Sequence, residues 1–277
     1  MVNAELIVIA MNYSESFKHL VFDNNSSNFL GWGNPNAKIL ILGKEPAIDT
    51  STEYGQSQYE IEVVHNKQDW RENIINQTDY EDVFSVCHRQ YGNPLFPHCW
   101  QKYQVKNRRA GILPNGDGTS RTWYQSQKLI DMITCREFTR NGYLDFHKYC
   151  FSTDLSAKAA LNNSLTNKEE TIKSIQERQS LFTSDFFKGF PVVIAAIGNY
   201  RNYFDWNNYV SKTFAVDSSP SGIIHINRAN FTIHECHDNT HRLIITCYQL
   251  SARISNEYLN AIADTVKQFI DRVSSEK

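Results

Sequence analysis

Short runs of consecutive apolar residues alternate along the chain with segments of helical periodicity. Four runs, at residues 38–43, 149–155, 191–198 and 242–248, have the length and continuity of strands that are covered on both faces. Helical segments between such strands are typical of a parallel sheet with crossover helices. The pattern predicts an α/β fold: a three-layer α/β/α arrangement around a central, mainly four-stranded parallel sheet.

Several helix starts carry a capping signal. Ser120 precedes one helix, Thr166 with Glu169 forms a capping box for another, and Ser255 precedes the last and clearest one. An N-terminal amphipathic helix is predicted from apolar residues three and four positions apart. These residues are Leu6, Ile9, Tyr13, Phe17 and Leu20.

Two segments near the last strand are rich in β-branched and aromatic residues. Residues 222–227 and 231–236 therefore favour extended structure, either as a hairpin or as a sheet edge.

The region that follows the first strand fits the alternation poorly. It contains a strand-like run at residues 59–64, a helical pattern near residues 70–75 and much irregular sequence. Connections this long are usually functional. We expect one domain over residues 1–277, with a long insertion at about residues 50–118.

The composition is that of a globular protein. The 277 residues are 41% hydrophobic, and 28 Lys and Arg nearly balance 30 Asp and Glu. This excludes a mainly disordered chain and a strongly basic nucleic-acid-binding domain. No apolar run approaches the ~20 residues of a membrane span, and the run at residues 6–11 is too short for a signal peptide. We therefore expect a cytoplasmic protein without a membrane partner.

The six cysteines are far apart and form no Cys-x-x-Cys pair, so reduced thiols are expected and an iron–sulfur cluster is not. One group resembles a metal site in composition: His234, Cys236, His237 and His241. Its spacing matches no zinc motif, and a hairpin with ordinary histidines is the favoured interpretation. No metal and no cofactor is predicted.

Ligands of open parallel sheets bind beyond the carboxyl ends of the strands. In this chain the rule selects residues 43–47, 152–154, 198–200 and 249–253. We expect the functional residues in these four segments.

The first of these segments carries a family resemblance. Residues 33–47, GNPNAKILILGKEPA, resemble the first motif of the uracil-DNA glycosylase superfamily, and the strand at 192–199 ends in a similar Gly-Asn. The likeness in strand order and spacing covers residues 30–270. It implies an enzyme that flips a damaged or deaminated base out of DNA and hydrolyses its N-glycosidic bond without a metal.

The resemblance also suggests roles for individual residues. Glu45 occupies the position of the first-motif acid or amide, where it would orient water and stabilise the oxocarbenium-like sugar. Gln249 or backbone amides would donate to the departing base, and an aromatic residue from 54–100 would stack on that base. The base-binding set is Lys44, Pro46, Ala47, Thr153, Asp154 and Asn199.

Two positions depart from the family pattern. Where the superfamily reads the base with an amide, this chain has Asp154, or Thr153 if the strand register is shifted by one. An ionised Asp154 would only accept hydrogen bonds, so it would favour a base that presents amino groups. The final motif is Gln249-Leu-Ser251 instead of a His-Pro-Ser-like segment, with Leu250 as a candidate wedge.

Cationic and aromatic residues are interleaved at 100–124, a mixture that contacts phosphates and stacks on bases. DNA, single- or double-stranded, is the expected partner, and no obligate protein partner is predicted. The candidate DNA-binding residues are Arg108, Arg109, Arg121, Leu250, Ser251 and Arg253.

Other interpretations remain open at this point. Glu45 can be a solvated loop carboxylate or an acid at a helix N-terminus, and Asp154 can be a turn or capping residue. The chain can be a catalytically silent protein of the same fold that binds a nucleic acid or a nucleotide, or a hydrolase of free nucleosides. A cleft shared by Glu45, Asp154 and Gln249 would favour the enzyme, whereas a filled one would favour the binding protein.

Overall fold

The computed structural model describes residues 12–86, 92–97, 99–102, 118–137, 142–160, 167–236 and 241–276. In these residues the chain is a mixed α/β protein with a seven-stranded sheet and ten α-helices. The strands are β1 (Trp32–Gly33), β2 (Ile39–Gly43), β3 (Phe151–Asp154), β4 (Val192–Ala195), β5 (Gly222–Ile226), β6 (Ala229–Cys236) and β7 (Arg242–Thr246). The helices are α1 (Glu15–Phe22), α2 (Glu53–Tyr59), α3 (Asn66–Asn76), α4 (Tyr80–Ser85), α5 (Arg121–Ile133), α6 (Lys168–Glu177), α7 (Gln179–Phe182), α8 (Asp185–Lys188), α9 (Trp206–Phe214) and α10 (Asn256–Ser275).

The sheet has the strand order β1-β3-β2-β4-β7-β6-β5. The four strands predicted from apolar runs are β3, β2, β4 and β7, and they pair in parallel at its centre. The predicted count of four strands is nevertheless wrong. Antiparallel β1 lies beside β3 at one edge, and the β5–β6 hairpin extends the other edge beyond β7.

The central strands bury both faces. On β2, Leu40 and Leu42 pack in a cluster with α1, α8 and α9, whereas Ile39 and Ile41 pack in a second cluster with α5 and α10. Successive side chains of a strand point to opposite faces, so continuous apolar runs are needed here. This is why the four runs were recognisable in the sequence.

Three predicted helices are confirmed, with corrections at their ends. The hydroxyls of Ser120 and Ser255 cap α5 and α10 by accepting from backbone N–H groups in their first turns. Helix α6 begins after Asn167, whose side chain accepts from the Glu169 amide, and not after Thr166, which lies outside the described residues. Asn167 is equally suited to capping because its amide oxygen reaches the first free N–H groups.

Helix α1 confirms the C-terminal part of the predicted amphipathic helix. Phe17 is buried and lies edge-on to Trp70, with ring centroids 5.0 Å apart. Leu6 and Ile9 lie outside the described residues.

The predicted strand at residues 59–64 is wrong. Thr52 caps α2, and the helical path continues through a π-helical turn, Glu60–Val64, into α3. Within this π-helical turn Val63 is buried, whereas Ile61 is exposed. The helix near residues 70–75 is confirmed as α3.

The expectation of reduced thiols fails at Cys99, which is disulfide-bonded. Cys135, Cys150, Cys236 and Cys247 form no disulfide bond. The described helices include no candidate for a membrane span.

His234, from the metal-like group, lies inside the protein on β6. Its side chain is fully buried, and neither ring nitrogen has a hydrogen-bond partner among the described residues. Burial lowers the pKa of this imidazole because the charged form is desolvated.

This burial makes the fold sensitive to acid. Below the ordinary histidine pKa the unfolded chain binds a proton that His234 resists in the folded state, so stability falls as the pH is lowered from about 7 to about 5. We expect His234→Leu to reduce that fall in urea unfolding curves. His225→Leu, at an exposed position on β5, is the matched control. An unchanged pH dependence in His234→Leu would contradict the assignment.

Candidate active site at the carboxyl end of the parallel strands

The four central strands end at one edge of the sheet, as parallel pairing requires. In the register, Gly43 at the end of β2 lies beside Asp154 at the end of β3, and Leu42 lies beside Ala195 at the end of β4. The loops that follow contain Lys44, Asn199 and Gln249. Sequence reasoning therefore selected segments that do converge.

Lys44 lies at the centre of this convergence. Its side chain is 2% exposed, and its Nζ donates to Asn199 Oδ1 at 3.2 Å. The same nitrogen lies 3.5 Å from Gln249 Oε1 and 4.3 Å from the centroid of the Tyr200 ring. Burial lowers the pKa of Lys44, and the negative charge of Glu45 opposes this effect. The amine thus joins the loops after β2, β4 and β7.

Two carboxyl groups accompany this amine. Burial raises the pKa of Glu45, while a hydrogen-bonding interaction with Tyr200 and the charge of Lys44 act in the opposite direction. Burial, and next the charge of Glu45, raises the pKa of Asp154 to about 7, and the Arg178 charge opposes the rise. The charge of Glu45 therefore favours the protonated form of Asp154 near neutral pH.

Gly43 permits the approach of the second carboxyl group. A Cβ at this position would lie 2.0 Å from Asp154 Oδ1, so a side chain there would displace the carboxylate. The loops beyond are joined by backbone bonds, in which the Leu155 and Ser156 amides donate to the carbonyls of Gly43 and Lys44. The position of Asp154 relative to Glu45 is therefore fixed by the backbone.

Arg178 is a site residue that sequence reasoning missed. This buried guanidinium donates to the Asp154 carbonyl at 3.2 Å, to Thr153 Oγ1 at 3.2 Å and to the Phe29 carbonyl at 2.7 Å. Burial lowers its pKa to about 10. It follows α6 in a segment without a motif, so no local signal marks it.

Two tyrosines were given no role by sequence reasoning. The Tyr200 ring lies under Lys44 and 4.8 Å from the ring of Tyr203, and the Asn199 amide nitrogen lies 3.5 Å from the Tyr203 hydroxyl. Tyr200 lies in the selected segment 198–200, in which only Asn199 was assigned a role, and Tyr203 lies just beyond it. The Gly198-Asn-Tyr sequence was the available signal, because it immediately follows an apolar strand.

The other predicted base-binding residues are more peripheral. Thr153 is buried and accepts from Arg178, which leaves Asp154 as the member of this pair beside Glu45. The Pro46 carbonyl accepts from the Ala160 amide and so ties the loop after β2 to the loop after β3. Ala47 is exposed.

The candidate DNA-binding residues are only partly placed as expected. Arg121 and Arg253 are exposed and Ser251 is half-buried, whereas Arg108 and Arg109 lie outside the described residues. Leu250 is 1% exposed and packs in the cluster with α5 and α10. This corrects its assignment as an intercalating wedge, because its apolar side chain is used in the core.

Two surface concavities of the described structure lie away from the cluster. One is lined by residues of α1 and Asp23, and the other lies between α6 and α9. Within the cluster itself the central position is occupied by the Lys44 amine.

The comparisons with known proteins add no relative: no family model matches the chain, and no curated protein matches it.

The raised pKa of the Asp154 carboxyl makes stability depend on pH in the sense opposite to His234. The folded state retains a proton up to about pH 7, whereas the unfolded carboxyl loses it near its ordinary pKa of 3.8, so stability falls as the pH rises through this range. We expect Asp154→Asn to raise the melting temperature more at about pH 8 than at about pH 5. Asp185→Asn, in the first turn of α8, is the control. Equal shifts at both pH values would contradict the raised pKa.

Proposed function

We propose that the protein is a DNA glycosylase-like hydrolase that cleaves the N-glycosidic bond of a flipped damaged or deaminated base. The supporting observation is the convergence of Glu45, Asp154 and Gln249 around Lys44 at the carboxyl end of the central strands. The resemblance of residues 33–47 to the uracil-DNA glycosylase superfamily supplies the reaction class. A three-layer α/β/α arrangement is part of the proposal, since α5 and α10 pack on one side of β2 while α1, α8 and α9 pack on the other.

The chemistry requires opposite charges at two places. As the bond breaks, the sugar becomes cationic and the departing base anionic. The Glu45 carboxylate would orient water and stabilise the sugar cation. The Lys44 ammonium and the Gln249 amide would stabilise the base anion together, since Lys44 Nζ lies 3.5 Å from Gln249 Oε1. The two sets of groups are adjacent in the cluster, and the resemblance implies a reaction that needs no metal ion.

Asp154 would contact the base edge in a form that depends on pH. With its pKa raised to about 7, its carboxyl group can carry a proton and then donate as well as accept. It would thereby take over the function of the amide that the superfamily has at this place. The exclusive preference for amino-bearing bases that an ionised Asp154 implied is therefore not part of the proposal.

Contact with DNA would be made by Arg121, Ser251 and Arg253 in the proposed complex. The two arginines are exposed, and exposed cations can neutralise phosphates.

A cytoplasmic location also belongs to the proposal. The disulfide at Cys99 is unusual for that compartment, so the redox state of this residue in cells tests the location.

A catalytically silent binding protein of the same fold is the alternative. It is favoured by the central position of Lys44. This side chain is 2% exposed, and its amine fills the position that a flipped base would have to occupy. In that case the cluster would hold the loops together and Glu45 would do no chemistry.

Excision assays separate the two functions. Purified protein is incubated with labelled single- and double-stranded oligonucleotides that carry uracil, hypoxanthine, xanthine or an alkylated base. We expect excision of at least one base, and a decrease of about a hundredfold or more in Glu45→Gln, because the amide cannot accept a proton from water.

Glu53→Gln is the matched control, since Glu53 is an exposed acid in the first turn of α2. It should excise at the wild-type rate. Equal activity of Glu45→Gln and wild type would remove Glu45 from the mechanism. Binding of DNA without excision of any of these bases would favour the silent protein.

A further inference from the structure

Three observations describe the surroundings of the Lys44 amine. The side chain is buried, its Nζ contacts the neutral amides of Asn199 and Gln249, and it lies over the face of Tyr200. Such surroundings stabilise an ammonium less than water does. The Lys44 amine is therefore uncharged in a larger fraction of molecules than the amine of a solvent-exposed lysine. The uncharged amine is the form that attacks carbonyl carbon.

The neighbouring carboxyl groups provide the acid–base chemistry that an attacking amine requires. Glu45 is adjacent in sequence and interacts electrostatically with both Lys44 and Asp154. One ionised carboxylate can take the ammonium proton, and one neutral carboxyl can return a proton to a departing hydroxyl. An amine, a proton acceptor and a proton donor thus lie together at the carboxyl end of the sheet.

We propose that Lys44 is a nucleophile that forms a Schiff base with a sugar aldehyde, namely the ring-opened deoxyribose of an abasic site. The Nζ lone pair forms a bond to C1′, and a proton passes from Nζ to the carbonyl oxygen to give a carbinolamine. The C1′–O bond then breaks as the oxygen takes a proton from the carboxyl pair and leaves as water. The nitrogen returns a proton to the carboxyl pair, which leaves the imine. Amine and aldehyde are converted into imine and water, and no oxidant or reductant takes part.

The choice of aldehyde rests on the proposed function. Removal of a base leaves a deoxyribose whose open-chain form has its aldehyde at C1′, the atom from which the base departed. Lys44 faces the proposed base-binding groups Asn199 and Gln249, so this carbon would be the nearest carbonyl after excision. The same protein would then capture its own product.

Access to the amine depends on Gln249. This half-buried side chain belongs to the loop after β7 and contacts Nζ through its amide oxygen. Truncation to alanine removes that contact and opens a path to the amine. Gln249→Ala is therefore expected to form the imine faster than wild type, although the same change should slow base excision.

The test supplies the aldehyde directly, so that it does not require excision. The full chain is incubated with an oligonucleotide that contains a preformed abasic site, and separately with free 2-deoxyribose, in the presence of cyanoborohydride. The reductant converts an imine into a stable secondary amine, whose position is mapped by peptide mass spectrometry. We expect an adduct on Lys44 with both probes, and none at residue 44 in Lys44→Arg, which keeps the charge but lacks the amine.

Lys67 is a matched control within the same chain. It is also buried, at 5% exposure, but its Nζ donates to the backbone carbonyls of Asp23 and Ser26, away from the carboxyl pair. Lys67→Arg should leave the Lys44 adduct unchanged. Circular dichroism of each variant verifies folding, and mapping of the wild-type adduct decides the question even if a variant fails to fold.

The outcomes distinguish this inference from the proposed function. An adduct on Lys44 in a protein that excises no base would support the amine chemistry and refute the glycosylase. Excision without an adduct on Lys44 would overturn the inference and leave the glycosylase intact. Adducts confined to exposed lysines, or none with either probe, would likewise overturn it.

Discussion

Desolvation of charge at the end of a parallel sheet is the constraint on which the candidate site depends. Lys44, Glu45 and Asp154 come from two neighbouring strand ends, and each has its pKa displaced towards the neutral form by burial. An isolated charge in such a place would be strongly destabilising, but groups whose charges interact can remain. The three groups are therefore coupled, because the charge of Glu45 raises the pKa of both Lys44 and Asp154.

The surrounding fold maintains this cluster by backbone geometry and by one further cation. The absence of a side chain at Gly43 lets the Asp154 carboxylate lie against β2. Arg178 fixes the carbonyl of Asp154 and the hydroxyl of Thr153 from α6's C-terminal end, and it stabilises the ionised form of Asp154. The apolar clusters on both faces of the sheet supply the rigid support that such positioning requires.

Much of this organisation could be predicted from the sequence, for identifiable reasons. The central strands were predictable because burial of both faces demands continuous apolar runs, and α5 and α10 were predictable from Ser120 and Ser255. Parallel pairing then implied that the segments after those strands meet, and this predicted that Lys44 and Gln249 lie at the same edge of the sheet. The two-residue β1 was missed because so short a segment carries no periodicity.

The remaining features depend on contacts between distant parts of the chain. Arg178 interacts with residues 24 and 149 positions away, Asp154 and Phe29, and no local pattern encodes such contacts. Leu250 was assigned as a wedge from its place in the final motif, yet tertiary packing uses its side chain in the core. The strand-like run at 59–64 shows the same effect, since the helix begun at Thr52 overrides β-branched composition.

The ionisation of Asp154 tests the central claim most directly. Carbon-13 NMR of carboxyl-labelled protein, with Asp154→Asn to assign the resonance, gives the titration midpoint of this group. The account predicts a midpoint of about 7, displaced by burial and by the charge of Glu45. A midpoint near 3.8, the ordinary value, would show that the carboxyl is solvated and that Glu45, Lys44 and Asp154 titrate as independent groups.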